Sequence, residues 1–433
     1  MRSLLPGLTT RGRCLLAGGV AAALCSIVLN ERDLLRVAAF LIALPLISAL
    51  LAARSRVGLR CERVLLPPRV PAGSNVEVRL QVSKGSHIPS GGLQLEDSVP
   101  SALGGTPRFA VDSIRQGRTV QLRYPLRPAL RGLRSLGPLT VTITDPFGMA
   151  EYSQQLAGQS RLLVLPRVEP LAGLPRGAGV GVGDDGAVRL HAGPGSDDAV
   201  VRQYRYGDDL RKVHWKSTAH RDELMVRAEE RPWRGGTTVL LDNRVSAHRG
   251  TGTEASLEWA VSFVASVCLH LHRNGHHVRL ALQDGRMLAG ETSTEGFGGT
   301  PVLADSDEDI LDTLAVLKPS HHRDLVCRSD PGAGQELIAV LGSLGPPATD
   351  ELVRHRLSGA RSLAVLLDVA AWPVDPVAQP RDLDSGKDVT VTAALLRAAG
   401  WGVVIARPDD RAATIWSRLH ATVAGVASQA ATP

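Results

Sequence analysis

Residues 238–242 have the sequence TVLLD, an apolar run that ends in an acid and predicts a strand buried on both faces. The segment Glu254–His272 follows it, and its apolar residues recur with the period of a helix. A buried strand followed by an amphipathic helix is the repeating unit of a parallel sheet that helices cover on both faces. We therefore expect an α/β domain that begins near Thr237.

The same alternation continues towards the end of the chain. Further strands are predicted at His277–Leu282, Leu337–Leu341, Leu363–Asp368 and Val403–Ala406. Further helices are predicted at Asp305–Leu317, Val391–Ala399 and Ala412–Leu419. The α/β domain is therefore expected to occupy residues 237–425.

The segment before this domain, residues 201–236, crowds charged and aromatic side chains together. Its acids, its histidine and its serine are the ingredients of an acid–base or nucleophilic site. The same groups can instead form a structural or partner-binding cluster, in which carboxylates cap a helix and pair with arginines. We favour this second interpretation for Tyr204, Arg205, Gly207, Asp208, Asp209, His214, Trp215, Lys216 and Ser217.

This segment resembles the signature of the domain-of-unknown-function-58 family, a Tyr-Arg-x-Gly-Asp-Asp run, then His-Trp-Lys, then a Glu-Leu-x-Val-Arg strand. The match is close over residues 203–242 and looser over residues 131–139 and 145–148. The resemblance implies a von Willebrand factor A-like, Rossmann-like fold for residues 237–425. It also implies a MoxR-type AAA ATPase and a transglutaminase-like membrane protein as partners.

The expected metal motif of such a fold is altered in this chain. Von Willebrand-type domains that bind Mg²⁺ carry Asp-x-Ser-x-Ser after the first strand, because carboxylate and hydroxyl oxygens suit a hard cation. Here Asp242 and Ser246 remain as remnants, but Arg244 replaces the middle serine. A guanidinium cannot ligate a cation, so we expect no metal and no cofactor.

A second conceivable metal site is a group of histidines at the end of the first predicted helix of the α/β domain. They have no supporting cysteines or acids nearby in the sequence. Because a helix C-terminus attracts positive charge, we interpret them as partners of the helix dipole. The histidines are His270, His272, His276 and His277.

Residues 171–200 are rich in Gly, Pro and Asp and predict a flexible linker. Their Gly-Val-Gly-Val-Gly stretch lacks the Lys-Ser/Thr pair that follows a phosphate-binding loop. Before the linker, Val76–Val82, Thr119–Tyr124 and Leu139–Thr144 alternate apolar and polar residues. These patterns predict a small antiparallel β-sandwich over residues 59–170.

Residues 1–58 contain two apolar runs, Cys14–Leu29 and Val37–Ala53, separated by the polar turn Asn30–Asp33. Each run approaches the roughly 20 residues that a membrane-spanning helix needs, so we expect a transmembrane hairpin. Positive flanks stay on the cytoplasmic side, which predicts that both ends of the hairpin, and all later residues, are cytoplasmic. The flanking arginines are Arg2, Arg11, Arg13, Arg54, Arg56, Arg60 and Arg63.

Net charge, cysteine content and the distribution of basic residues exclude further classes of function. The net charge is +6, and the five cysteines are scattered, which opposes a disulfide scaffold and suits a reducing compartment. The basic run Arg202–Arg234 is interspersed with acids, so we expect no nucleic-acid partner. An alternative interpretation of the first apolar run is a secretory signal, although no Ala-x-Ala cleavage site follows it.

These features predict a non-catalytic scaffold in the cell membrane that binds a MoxR-type ATPase or a related partner. One rival hypothesis is a hydrolase that uses His214 with Asp208 and Ser217. The other is a secreted module that binds the cell envelope, which requires the signal-peptide interpretation of the first apolar run.

Overall fold

The chain forms two compact units, Met1–Pro166 and Arg167–Pro433, in the computed structural model. In the first unit two helices precede a group of strands, and in the second strands and helices alternate. The structure describes residues 7–55, 59–84, 92–112, 114, 117–145, 147–174, 201–203, 225–227, 236–288, 306–323, 325, 336–354, 361–374 and 388–429.

Two long helices begin the first unit, α1 (Thr10–Leu29) and α2 (Arg32–Ser55). The Thr9 hydroxyl caps α1 by accepting a hydrogen bond from the Gly12 N–H. Asn30 ends α1 in a left-handed conformation, with φ of 48°. The turn is therefore shorter than the sequence predicts, because its last two expected residues already belong to α2. We call this pair of helices the helical hairpin.

Many apolar side chains of the helical hairpin are exposed. The exposed fractions are 72% for Ile27, 83% for Val28 and 64% for Phe40. Helices of 20 and 24 residues are long enough to cross a hydrocarbon layer about 30 Å thick. The expected pair of apolar helices is thus confirmed, and both are long and apolar enough to span a membrane.

The rest of the first unit is a β domain made of three small sheets. Their strand orders are β1-β3-β6, β2-β10-β7 and β5-β4-β8-β9. The strands are β1 (Leu59–Leu66), β2 (Arg69–Pro71), β3 (Val76–Lys84), β4 (Leu93–Asp97), β5 (Arg108–Val111), β6 (Thr119–Leu126), β7 (Gly132–Leu136), β8 (Leu139–Thr144), β9 (Glu151–Ala157) and β10 (Ser160–Leu165).

One apolar core joins the three sheets of the β domain. Alternate residues of β3, such as Val78 and Leu80, are fully buried, as are Leu95 on β4 and Leu162 on β10. This alternation is the period-two pattern that the sequence shows. The expectation of a purely antiparallel domain is wrong in one detail, since β2 pairs with β10 in parallel.

The start of α1 is joined to the turn between β8 and β9. The Thr9 N–H donates to the Met149 carbonyl over 2.9 Å, and the Thr9 hydroxyl donates to the Gly148 carbonyl over 2.8 Å. Leu8 and Ala150 form an antiparallel bridge and are both buried. The first residues of the helical hairpin are therefore tied to the β domain by main-chain hydrogen bonds.

A buried ion pair crosses the β domain. Arg63 on β1 donates to Asp97 at the end of β4 over 2.5 and 3.1 Å, and both side chains are buried. The Tyr124 hydroxyl donates to the same carboxylate over 2.6 Å. Burial and this hydrogen bond raise the pKa of Tyr124 well above its usual value. The sequence groups Arg63 with the positive flank of α2. In the structure its side chain is instead buried inside the β domain, where it pairs with Asp97.

The second unit contains a six-stranded sheet with the order β15-β14-β13-β16-β17-β18. Its strands pair in parallel except β15, which runs antiparallel to β14. The strands are β13 (Gly236–Leu241), β14 (His277–Leu282), β15 (Met287–Leu288), β16 (Glu336–Leu341), β17 (Ser362–Leu367) and β18 (Gly402–Ala406); a separate ladder pairs β11 (Val201–Gln203) with β12 (Met225–Arg227).

Helices cover both faces of this sheet. Val239 and Leu241 of β13 join the core beneath α3, α4 and α7, while Leu240 joins the core beneath α5 and α6. The expected α/β domain with a parallel sheet is therefore present. The helices are α3 (Ser256–Arg273), α4 (Asp307–Val316), α5 (Pro346–Arg354), α6 (Val389–Ala398) and α7 (Ala412–Gln429).

The boundary between the units lies after Pro166, four residues before the boundary at 170 that the sequence suggests. The Ser262 hydroxyl of α3 donates to the Arg167 carbonyl over 2.6 Å, and the Glu169 N–H donates to the Ser266 hydroxyl over 2.9 Å. Residues 171–174, expected to begin the linker, instead lie against the core of the second unit. The remaining linker residues, 175–200, lie outside the described part of the chain.

Candidate functional site

The carboxyl edge of the parallel sheet contains a switch point. From β13 the chain passes through α3 to β14 on one side, and it later returns to β16 on the other side of β13. Connections that leave in opposite directions open a crevice between the carboxyl ends of the two central strands. Ligands of open α/β sheets bind in such crevices, so the ends of β13 and β16 are the place to search for a site.

Arg244 fills this crevice from within the protein. Its Nε donates to Asp242 Oδ1 and its Nη2 to Asp242 Oδ2, each over 2.9 Å. Its Nη1 donates to the Arg323 carbonyl over 2.8 Å, and Nη2 also donates to the Ser343 carbonyl over 3.2 Å. Asp242 follows β13 and Ser343 follows β16, so one guanidinium connects both sides of the switch point.

The pair of Asp242 and Arg244 is fully buried. A buried carboxylate needs a counter-charge and hydrogen-bond donors, and Arg244 supplies both in the bidentate geometry that guanidinium favours. Both carboxylate oxygens that a metal would require are therefore occupied by an internal cation. This geometry gives a structural reason for the expectation that Arg244 opposes metal binding, which stays a prediction.

Two further residues in and just after the altered motif have different surroundings. Ser246 is half-buried, and its hydroxyl has no hydrogen-bond partner within the described residues. No sequence pattern singles out His248, yet its Nε2 lies 2.6 Å from the Asp242 carbonyl and its Nδ1 lies 3.0 Å from the Ser256 hydroxyl. Burial lowers the pKa of His248, and the two contacts of its ring join the end of β13 to the start of α3.

A pocket of about 610 Å³ opens beside the switch point, at the ends of β13 and β14. Its walls come from Asn243, from Leu282 and Arg286 around the β14–β15 turn, and from residues 317–322 after α4. Asn243 forms part of this wall and is only 3% exposed. A concave site of this size falls within the usual range for ligand pockets.

The group of histidines does not form a metal site in the described residues, where no three potential ligands come together. His270 Nε2 lies 2.7 Å from the Gly173 carbonyl, and its ring lies edge-on to Trp416. His272 lies 3.9 Å from Asp307 at the start of α4. His276 is buried after α3, and His277 begins β14.

The signature segment is only partly described. Tyr204, Arg205, Gly207, Asp208, Asp209, His214, Trp215, Lys216 and Ser217 all lie outside the described residues. Its two ends are described, because Gln203 of β11 is the register partner of Met225 on β12. The predicted Glu-Leu-x-Val-Arg strand thus corresponds to β12, and the chain enters and leaves the segment at one place.

The molecule is thus an α/β protein with a closed switch point, preceded by a β domain and a helical hairpin. Residues 200–296 match the family described as protein of unknown function DUF58. The matched residues include the signature segment, β11, β12, β13, α3 and β14. This match confirms the resemblance over the segment that suggested it. The looser similarities at 131–139 and 145–148 lie outside the matched residues.

A curated relative is the uncharacterized protein YeaD of Bacillus subtilis (strain 168), 24% identical over 241 residues. The aligned region is 54% of this chain and 58% of the relative, so the chain spans less than two thirds of the relative's length.

Among solved structures, a cohesin module of a Clostridium perfringens family 33 glycoside hydrolase has a TM-score of 0.20, with 14% identity over 25% of this chain and 96% of that one. A non-cellulosomal cohesin from Archaeoglobus fulgidus has a TM-score of 0.19, with 15% identity over 24% of this chain and 91% of that one. Similarities this small carry no argument about fold or function, and the likeness of the second unit to a von Willebrand factor A domain stays a prediction.

Proposed function

We propose that this chain is a membrane-anchored scaffold with no catalytic site of its own, and that its second unit binds a protein partner. The observation that carries the proposal is the helical hairpin, whose apolar side chains are exposed along both helices. Exposing such side chains to water is unfavourable by about 25 cal/mol for each Å². Insertion into a lipid bilayer removes this cost, so the helical hairpin serves as the anchor.

The direction of insertion follows from the arginines. Arg11 and Arg13 lie at the start of α1 and are exposed, and Arg54, Arg56 and Arg60 lie around the end of α2. The turn between the helices also carries positive charge, but it has acids beside it, and Arg36 pairs with Asp33 over 2.8 Å. The surplus of arginine at the open end of the helical hairpin supports a cytoplasmic position for the β domain and the second unit.

The switch point supports binding rather than catalysis. A catalytic carboxylate needs a free oxygen and a proton partner within reach. Both oxygens of Asp242 are held by Arg244, and the nearby His248 is occupied on both nitrogens. In our proposal, Asp242, Arg244 and His248 therefore stabilise the edge of the sheet and take no part in catalysis.

The strand order of the second unit supports the proposed von Willebrand factor A-like fold. Counted from β13, the order is 3-2-1-4-5-6, which is the order of doubly wound α/β sheets. The family resemblance suggests a MoxR-type AAA ATPase as the protein partner and a transglutaminase-like membrane protein as a companion. Neither follows from the geometry of the chain.

Two measurements test this function on the full chain. Membranes that contain it are washed with alkaline carbonate, and we expect the chain to stay in the pellet, whereas its release would refute the anchor. The chain is then placed in lipid nanodiscs and titrated with the MoxR-type ATPase of the same genome, for which we expect saturable binding. The scaffold proposal fails if the chain instead hydrolyses ester or peptide substrates and His214→Ala abolishes this activity without lowering the melting temperature.

A further inference from the structure

The pocket beside the switch point has a rigid wall. The Ser320 N–H donates to the Asn243 carbonyl over 2.7 Å, and the Val245 N–H donates to the Ser320 carbonyl over 2.7 Å. The Asn243 side chain donates from Nδ2 to the Lys318 carbonyl over 2.9 Å. Residues 318–320 are therefore held along the chain that follows β13.

The charged residues that line the pocket, among those that the structure describes, are Arg286 and Lys318, and both are basic. The side chains of His321 and His322 also line the pocket, and no carboxylate is part of the described lining. Arg286 is partly neutralised, because its Nε donates to Asp284 over 2.5 Å. Lys318 is exposed and forms no ion pair with any residue that the structure describes. The field inside the pocket therefore favours an anion.

Asn243 adds a second requirement. Its side chain is buried, and its Nδ2 is used, but its Oδ1 has no hydrogen-bond partner within the described part of the chain. A buried acceptor without a donor is unfavourable by about 1 to 3 kcal/mol. A ligand that places an N–H group at this oxygen removes the penalty. The pocket thus suits a molecule that carries a negative charge and a neighbouring N–H donor.

We propose that this pocket binds an acidic segment of the partner protein, with a Glu or Asp carboxylate near Lys318 and a backbone N–H on Asn243 Oδ1. A peptide offers both groups a few atoms apart, whereas an ionised phosphate diester offers acceptors alone. The inference rests on the proposed function, since it names the surface and the chemistry through which the second unit holds its partner.

The test uses the full chain in nanodiscs of phosphatidylcholine and a fluorescein-labelled peptide, (Gly-Glu)₃, followed by fluorescence anisotropy. We expect the peptide (Gly-Gln)₃ to bind at least about tenfold more weakly, a difference of about 1.4 kcal/mol. A peptide with N-methylated glutamates keeps the charge but lacks those N–H groups, and it should also bind more weakly. Equal binding of all three peptides would overturn the proposal.

Two matched variants locate the site. Lys318→Glu reverses an exposed charge in the pocket and should weaken (Gly-Glu)₃ binding at least about tenfold with an unchanged melting temperature. Arg411→Glu makes the same change at an exposed position before α7, beside the far edge strand β18, and should leave binding unaltered. An equal effect of both variants would mean that only net charge matters and would refute the pocket.

Two further outcomes separate this inference from its alternatives. Displacement of (Gly-Glu)₃ by millimolar inorganic phosphate, together with full binding of the N-methylated peptide, would identify a phosphate site and refute the peptide site. If the MoxR-type ATPase binds Lys318→Glu as tightly as the native chain, the scaffold function stands and the pocket inference fails. If the ATPase does not bind the native chain but (Gly-Glu)₃ does and responds to Lys318→Glu, the pocket stands and this choice of partner fails.

Discussion

Arg244 occupies the place in which an α/β sheet of this order would hold a ligand, and it does so with a charge of the same sign as a metal ion. Its guanidinium reaches the Asp242 carboxylate and two carbonyl groups from separate loops. It therefore provides cross-links that a bound cation would otherwise provide. The loops after β13, α4 and β16 are held together by this one side chain.

Removal of this side chain should be costly. Arg244→Ala leaves the Asp242 carboxylate buried without a counter-charge, so we expect the free energy of unfolding to fall by about 3 to 5 kcal/mol. Arg273→Ala is the matched control, because Arg273 pairs with Asp307 at an exposed position and should contribute about 1 kcal/mol or less. Chemical denaturation of the full chain in detergent measures both, and similar losses would contradict the role of Arg244.

A different substitution tests the relation to metal. Arg244→Ser restores an Asp-x-Ser-x-Ser run and leaves Asp242 without its internal cation. We expect millimolar Mg²⁺ to raise the melting temperature of this variant, because an ion that binds only the folded chain stabilises it. The native chain should show no such rise. Stabilisation of the native chain by Mg²⁺, with one-to-one binding in calorimetry, would show that Arg244 does not close the site.

The buried carboxyl group of Glu336 should make the stability of the chain depend on pH. Burial at the start of β16 raises the pKa of Glu336 to about 7 from 4.5, although Arg361 acts in the opposite direction. The folded chain then retains a proton that the unfolded chain releases, so stability falls as the pH rises from about 4.5 to 7. Glu336→Gln should remove up to about 3 kcal/mol of this fall. Thermal unfolding at pH 5 and pH 8 should show a benefit of the variant only at pH 8.

For the altered motif, the sequence predicts which serine is lacking but not which contacts replace it. The absence of the middle serine is visible at position 244, whereas the contacts of Arg244 with residues 323 and 343 depend on how distant loops meet. The pair of Arg63 and Asp97 is unpredictable from the sequence for the same reason. A lone Arg on a strand gives no sign that its partner lies on another strand.

Among the elements, α1 is the one whose surroundings were least predictable. Its length and apolar character follow from the sequence, but its attachment to the β8–β9 turn does not. Gly12 shows how close this attachment is, because a Cβ atom there would collide with the Met149 carbonyl. Gly18, six residues further along the same helix, has open space where a Cβ would lie.

These two glycines provide a matched experiment. Gly18→Ala should stabilise the chain by about 0.5 to 1 kcal/mol, since alanine favours the helix. Gly12→Ala forces α1 away from a main-chain carbonyl and should lower stability by about 1 to 3 kcal/mol. Amide hydrogen exchange at residues 148–151 reports on the attachment, and it should accelerate only in Gly12→Ala. Equal protection in both variants would mean that α1 is not packed on this turn.

Strands and helices of the second unit were the most predictable elements, because continuous apolar runs such as Leu363–Leu367 have few alternatives. The pairing of β2 with β10 was not predictable, since β2 has three residues and carries no clear alternation. The position of such a short strand depends on the strand with which it pairs, because its own residues are too few to show a pattern.

For the molecule as a whole, the arrangement of arginines leads to a prediction about topology. The β domain and the second unit both follow α2, so a reporter that is active only outside the membrane should be silent when fused after Pro433. The same reporter inserted after Asn30, in the turn of the helical hairpin, should be active and serves as the control. Strong activity of the Pro433 fusion would place the β domain and the second unit outside and would favour the secreted alternative.

The ladder between β11 and β12 has a consequence for experiments on the signature segment. Register partners in an antiparallel ladder have Cα atoms about 4.5 to 5.5 Å apart, so Gln203 and Met225 leave almost no gap to be spanned. A two-residue turn is long enough to join strands that are paired in this way. Residues 204–224 can therefore be replaced as a unit by such a turn, and a function that is lost while β11 and β12 stay paired belongs to the segment that was removed.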